Sequence, residues 1–171
     1  NSGTLTNNGT ITLKGSSNQV FPGANATVAA MNNLEIDNAD GVTIDKSFAI
    51  YGTFTPTNGL INLTNSVITL RSDASGTAAV GVVGADFDYS GGGKFVVENY
   101  ISARRAWRMM TSPLKYTNTI REAWQNGGVY TPGKGTFITQ PTAANGLDGG
   151  AAASMKAFNI STQALVNVSN T

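Results

Sequence analysis

Any chemistry in this sequence has to come from carboxylates, guanidinium groups, amines, hydroxyls, amides and phenols, because its 171 residues include no histidine and no cysteine. Imidazole and thiolate zinc sites are therefore excluded, as are histidine-based triads and disulfides. Four carboxylates fall close together: Glu35, Asp37, Asp40 and Asp45. Glycoside hydrolysis needs two carboxyls about 5 to 10 Å apart across a cleft. If Leu34-Glu35-Ile36-Asp37 and Val42-Thr43-Ile44-Asp45 stack on adjacent rungs, Asp37 and Asp45 meet on the outside. The competing role is turn chemistry, since Asp side chains in Asp37-Asn38-Ala39-Asp40-Gly41 readily bond to nearby backbone. Turn chemistry is the preferred reading, and no catalytic residue is assigned.

The same turn opens like a calcium loop, and Asp86 and Asp88 offer a second carboxylate pair beside Gly91-Gly92-Gly93. Asp37, Asp40, Asp86 and Asp88 are thus the candidate Ca2+ ligands, although the closing bidentate Glu of an EF-hand is missing. No other cofactor is expected. Arg104, Arg105 and Arg108 form a basic cluster suited to a phosphate, a sulfated glycan or a lipid head group. In a strand the pleat would divide it, leaving a charged edge or pairs with Glu98 or Glu122. Among the aromatics, Trp107 and Trp124 are assigned to the core, which gains most from large rings. Tyr89, Tyr116 and Tyr130, placed in loops, are the candidate ligand-binding rings together with the three arginines.

The global numbers narrow the partners. A formal charge of +1 gives no field that would draw nucleic acid. No apolar run reaches the roughly 20 residues that span a bilayer as a helix. Gly133-Lys134-Gly135 lacks the spacing of a phosphate loop and leads into a strand. The chain starts at Asn1 without a signal-peptide pattern, which reads as a mature or internal piece of something longer.

The elements that would position these groups are short strands. From Asn1 to about Asp73, Asn, Gly or Asp turns precede four or five residues that alternate Thr with an aliphatic, as in Gly9-Thr10-Ile11-Thr12-Leu13 and Val67-Ile68-Thr69-Leu70. Period-two alternation sends each aliphatic set to one face. Hairpins of a sandwich would satisfy this pattern, but the tight turns and the returning unit favour a coiled solenoid with Thr and Asn outside. Residues 73 to 93 read as a loop or last irregular coil. Lys94 to Ile101 and Ala106 to Thr111 read as strands, with Pro113 closing the second. Thr117 to Gln125 reads as a two-turn helix capped by Thr117 or Asn118, and Ser154 to Ile160 and Ala164 to Val168 as two last strands. The domains are accordingly drawn as 1–93, a β-solenoid, and 94–171, a β-rich module opened by Trp107.

The stretch from Asn1 to Leu70, with its GTLTNNGTITL opening, resembles the degenerate repeats of large secreted surface proteins of Bacteroidota, which are generally described as right-handed parallel β-helices. The order Trp107 to Pro113, Thr117 to Gln125 and Pro132 to Ile138 resembles a second pattern from the same proteins: a Trp-Arg strand ending in Ser-Pro, a short helix, then a Pro-Gly-x-Gly strand. The resemblance implies an all-β fold, a right-handed parallel β-helix-like solenoid followed by a small β-sandwich-like module with one short helix. It also implies export by type IX secretion, a cell-surface location, and adhesin-like or gliding-motility proteins as relatives. The chain departs from a complete cargo in lacking a recognisable C-terminal sorting domain.

The expected function is a non-enzymatic structural or adhesive segment that extends and presents binding parts. Its partners would be extracellular glycans or proteins, and the secretion machinery during export. The alternatives are a glycan-binding or polysaccharide-degrading β-helix, and an interaction component of a secretion or motility assembly.

Overall fold

The computed structural model describes residues 3–102, 106–111, 119–125, 135–150 and 152–171. The chain divides into two compact units, Asn1–Met110 and Thr111–Thr171.

The first unit is a parallel β-solenoid of about four turns. Its strands are β1 (Thr4–Lys14), β2 (Gln19–Phe21), β3 (Thr27–Asp37), β4 (Val42–Ile44), β5 (Phe48–Ile50), β6 (Thr53–Asn62), β7 (Val67–Leu70), β8 (Ala79–Val80), β9 (Phe87–Ser90) and β10 (Lys94–Val97). Parallel ladders run β1 to β3 to β6, β2 to β4 to β6, and β5 to β7 to β10, while β8 and β9 both lie on β6. A parallel pair needs a crossover, and here the rest of each coil supplies it.

The Thr-aliphatic alternation builds the core as columns. Leu13, Ile36 and Pro56 form one, and Ile11, Leu34 and Phe54 another, which the exposed Val80 of β8 continues in register. Met31, Leu34, Ile36, Ile44, Ile50, Ile61, Leu63 and Ile68 are fully buried. Each such side chain contributes about 1.5 to 3 kcal/mol relative to exposure. Rings close the later coils, with Phe54 tilted against Phe95 at 5.5 Å and edge-on to Phe87 at 6.3 Å. Pro56 has no N–H to give the ladder, and the β3–β6 register shifts directly after it, between Ile36 and Asp37. Neighbouring coils approach as tightly at Gly59, which sits inside β6 at φ +92°, where a Cβ would overlap the Asn38 carbonyl.

Several sequence expectations move. Of the two readings of residues 73 to 93, a loop or a last coil, the second holds, since the stretch contains β8 and β9, both paired with β6. The glycine run turns from β9 into β10 against the preceding coil, with a Cβ on Gly93 overlapping the Ser66 carbonyl. β10 covers Lys94–Val97 only, and it pairs with β7. The boundary drawn at 93/94 therefore falls inside the first unit, because those ladder bonds tie residues 94–97 to the coil beneath them. Residues 106–111 are not a strand, and Trp107 is 69% exposed. Trp107 lies within the first unit and does not open the core of the second.

The second unit contains α1 (Ile120–Trp124), β11 (Thr139–Gln140), β12 (Asp148–Gly149), β13 (Lys156–Asn159) and β14 (Ala164–Asn167). β11 and β12 pair in parallel and β13 and β14 antiparallel, as two separate two-stranded sheets. The helix starts at a capping box: the Thr119 hydroxyl accepts from the Glu122 N–H, while Glu122 accepts from the Thr119 N–H. Thr119, and not Thr117 or Asn118, is thus the cap. Around it, Gln125, Ile138, Leu147 and Thr171 are buried and Trp124 is half-buried. The Gln125 amide donates to Asp148 at 3.1 Å, and the Arg121 N–H donates to the Thr171 carbonyl at 3.0 Å. Among the described residues no helix is long and apolar enough to cross a membrane.

Candidate functional site

The carboxylates near Asp37 separate because β3 and β4 are successive sides of one coil and not stacked rungs. Asp37 stacks between Lys14 and Asn58 in the β1–β3–β6 ladder. Asp45 follows β4, where its N–H donates to Phe21 at 3.1 Å and its carboxylate accepts from the Gly23 N–H at 3.3 Å. The two do not form a catalytic pair. Asp37 instead takes a charged hydrogen bond from Lys14 Nζ at 2.7 Å, which with the attraction between the charges raises the Lys14 pKa above 10.5. Glu35 is held by two hydroxyls, accepting from Thr12 at 2.9 Å and Thr57 at 3.4 Å on the coils to either side.

The turn itself is held by Asn38, which the sequence reading passed over. This fully buried amide donates to the Ser17 carbonyl at 2.9 Å and to Gln19 at 3.1 Å, and accepts from the Asp40 N–H at 3.1 Å. Asp37 and Asp40 leave that capping to Asn38, and Asp40 is exposed. The available signal was Asn38 and Asn58 recurring beside glycine turns: the Asn38 N–H donates to the Asn58 carbonyl at 3.3 Å.

Asp86 is exposed, and the exposed Asp88 accepts from the N–H of Tyr89 at 2.8 Å. Among the described residues no three carboxylates gather in a way that could hold a metal ion. Tyr89 is half-exposed and edge-on to Phe95 at 5.4 Å, so its ring is part of the last coil's aromatic cluster. Arg108 donates to the Ser102 hydroxyl at 3.0 Å and carbonyl at 3.3 Å. Glu98, expected beside the arginine cluster, accepts instead from Arg71 at 2.8 Å and from the Ser72 N–H at 3.2 Å. Glu122 is committed to the capping box. Arg104, Arg105, Tyr116 and Tyr130 lie outside the described residues.

What the structure does bring together is a concavity of about 260 Å³ lined by Asn7, Asn8, Ala30, Met31, Asn32 and Tyr51. β1 and β3 position it through two register shifts. Leu5 faces Val28 but Thr6 faces Ala30, leaving Ala29 extra in β3; Asn7 faces Met31 but Thr10 faces Asn33, leaving Asn8 and Gly9 opposite Asn32. The two shifts cancel, so the ladder resumes its first offset by Lys14 and Asp37. Paired bulges of this kind re-aim side chains without losing the flanking register. None of the lining side chains carries a charge at neutral pH. Alternation alone gave no sign of the bulges, because an extra residue in each strand leaves the overall spacing unchanged.

In comparisons with known proteins, the chain matches no family model, no characterised protein and no solved structure.

Proposed function

We propose that this chain is a non-enzymatic segment of a large secreted cell-surface protein, serving to extend and present binding parts away from the cell. The observation that supports it is the stacking of the first unit: aliphatic columns inside, and outside a Thr and Asn wall bonded from coil to coil. Thr27 donates to Thr4 at 3.3 Å, Asn33 to Thr10 at 3.3 Å and Thr43 to Asn18 at 3.2 Å. Such a wall lengthens by adding coils, each stabilised by its neighbours, without needing a new fold.

Trypsin treatment of intact cells that produce the protein tests this reading. Peptides cut at Lys14, Lys46, Arg71 or Lys94 should be released while a cytoplasmic marker stays inside. Release of those peptides only after lysis would overturn the surface location. Liberation of reducing ends from a panel of neutral and acidic polysaccharides by the purified chain would overturn the non-enzymatic part.

A further inference from the structure

The column that carries Met31, Ile50, Leu70 and Val97 begins at Asn7. Four aliphatic or thioether side chains thus follow one amide at the same inward position. A Leu at position 7 would continue the column, and an amide there costs stability unless its polar atoms are partnered. Asn7 Oδ1 is shut off from solvent and has no hydrogen-bond partner. The same residue lines the concavity between the two bulges, and binding there would require a turn about the soft χ2 torsion of Asn to present its oxygen to that space.

The other walls are equally specific in character. Tyr51 follows β5, is anchored by its N–H to the Met31 carbonyl at 2.9 Å, and leaves its side chain half-exposed beside the opening. Asn32 is fixed by donating to the Asn8 carbonyl at 2.9 Å and by accepting the Gly52 N–H on its own carbonyl at 2.8 Å. Met31 supplies a fully buried apolar floor.

We infer that this concavity is a binding site for a neutral pyranose residue. A sugar hydroxyl supplies the donor that Asn7 Oδ1 lacks, Asn8 and Asn32 offer further amide partners, and the C–H face of the ring stacks on Tyr51. The volume of about 260 Å³ is below the roughly 300 to 1,000 Å³ of sites for drug-sized ligands, which suits one sugar ring. The uncharged lining gives no reason to prefer a uronic acid. The proposal stands on the geometry of the first coils alone, so a spacer that binds no sugar would leave the surface reading intact.

Two-dimensional NMR of the full 171-residue chain tests it, with glucose, galactose, mannose and N-acetylglucosamine, their β-linked trimers, and glucuronate as the charged control. At least one neutral sugar should shift the side-chain amides of Asn7 and Asn32 and the ring signals of Tyr51. Monosaccharide and trimer arms separate recognition of a free sugar from that of a chain residue. Tyr51→Ala, at a half-exposed position, should weaken binding roughly tenfold. Asn7→Leu should abolish binding while raising the melting temperature, the signature of a polar group kept for a ligand. No shift with any neutral sugar, glucuronate binding as tightly as the neutral sugars, or Tyr51→Ala binding as the parent chain does would each overturn the assignment.

Discussion

Ile36 and Leu60 show at the level of single residues what decides stability here. Both are aliphatics in Thr- or Asn-rich strands, but Ile36 is fully buried in its column while Leu60 is 45% exposed on the wall. Ile36→Ala should cost about 2 to 5 kcal/mol in urea denaturation, and Leu60→Ala about 0.5 kcal/mol or less. Asn38→Ala should cost about 1 to 3 kcal/mol, because it removes a fully buried amide and its hydrogen bonds to the Asp40 N–H and the Ser17 carbonyl. Lys14 makes a different kind of prediction. Its folded pKa is raised, so whatever the Asp37 bond contributes is fully present below pH 10.5 and is lost as pH rises through the folded value. An NMR titration of the Lys14 Cε signal should have its midpoint above 10.5, and Asp37→Asn should bring it down. The inward aliphatics Leu34, Ile36, Val42, Ile44, Ile61, Leu63, Ile68 and Leu70 were legible from alternation, and all are buried. Asn7 and Asn38 were not, since an amide at an inward position breaks the very pattern being read.

Among elements, local chemistry was more legible than partnership. The alternation of β3 and β4 says which residues point inward, but not that these strands are consecutive sides of one coil, and so it left an Asp37–Asp45 approach open as the less favoured reading. The offset between stacked residues changes from coil to coil, from Met31 on Ile50 to Gly59 on Phe87, and no fixed repeat exposes it. The last coil was legible only in outline for a related reason: β8, β9 and β10 have two to four residues each, and glycine-rich turns between them hide where its strands begin and end. Gly59→Ala tests this coil-to-coil approach directly, combining a positive φ within β6 with a Cβ that has no room against the Asn38 carbonyl. It should destabilise the first unit by more than the roughly 1 kcal/mol of an ordinary glycine position, measured by thermal denaturation. In the second unit the Thr119-x-x-Glu122 box sets the start of α1, and Thr119→Ala should cost about 1 kcal/mol and reduce helical ellipticity.

For the molecule as a whole, the central claim is that the first unit is a stack in which each coil is held by the ones above and below it. Among the described residues β3 and β6 are hydrogen-bonded on both sides, whereas β1, β8, β9 and β10 are each bonded to one neighbouring strand. In such a quasi-one-dimensional fold local opening starts at the terminal coils, and the deepest protection belongs to the middle. The same logic makes the first coils a tolerant place for an unpartnered amide such as Asn7, whose cost falls on the edge of the stack. Native-state hydrogen exchange of the full chain, resolved amide by amide, measures this directly. The ladder amides of β3 and β6 should exchange most slowly, with protection falling off toward β1 on one side and toward β9 and β10 on the other. Equal protection across all ten strands, or slowest exchange in β1 or β10, would contradict the coil-by-coil stack.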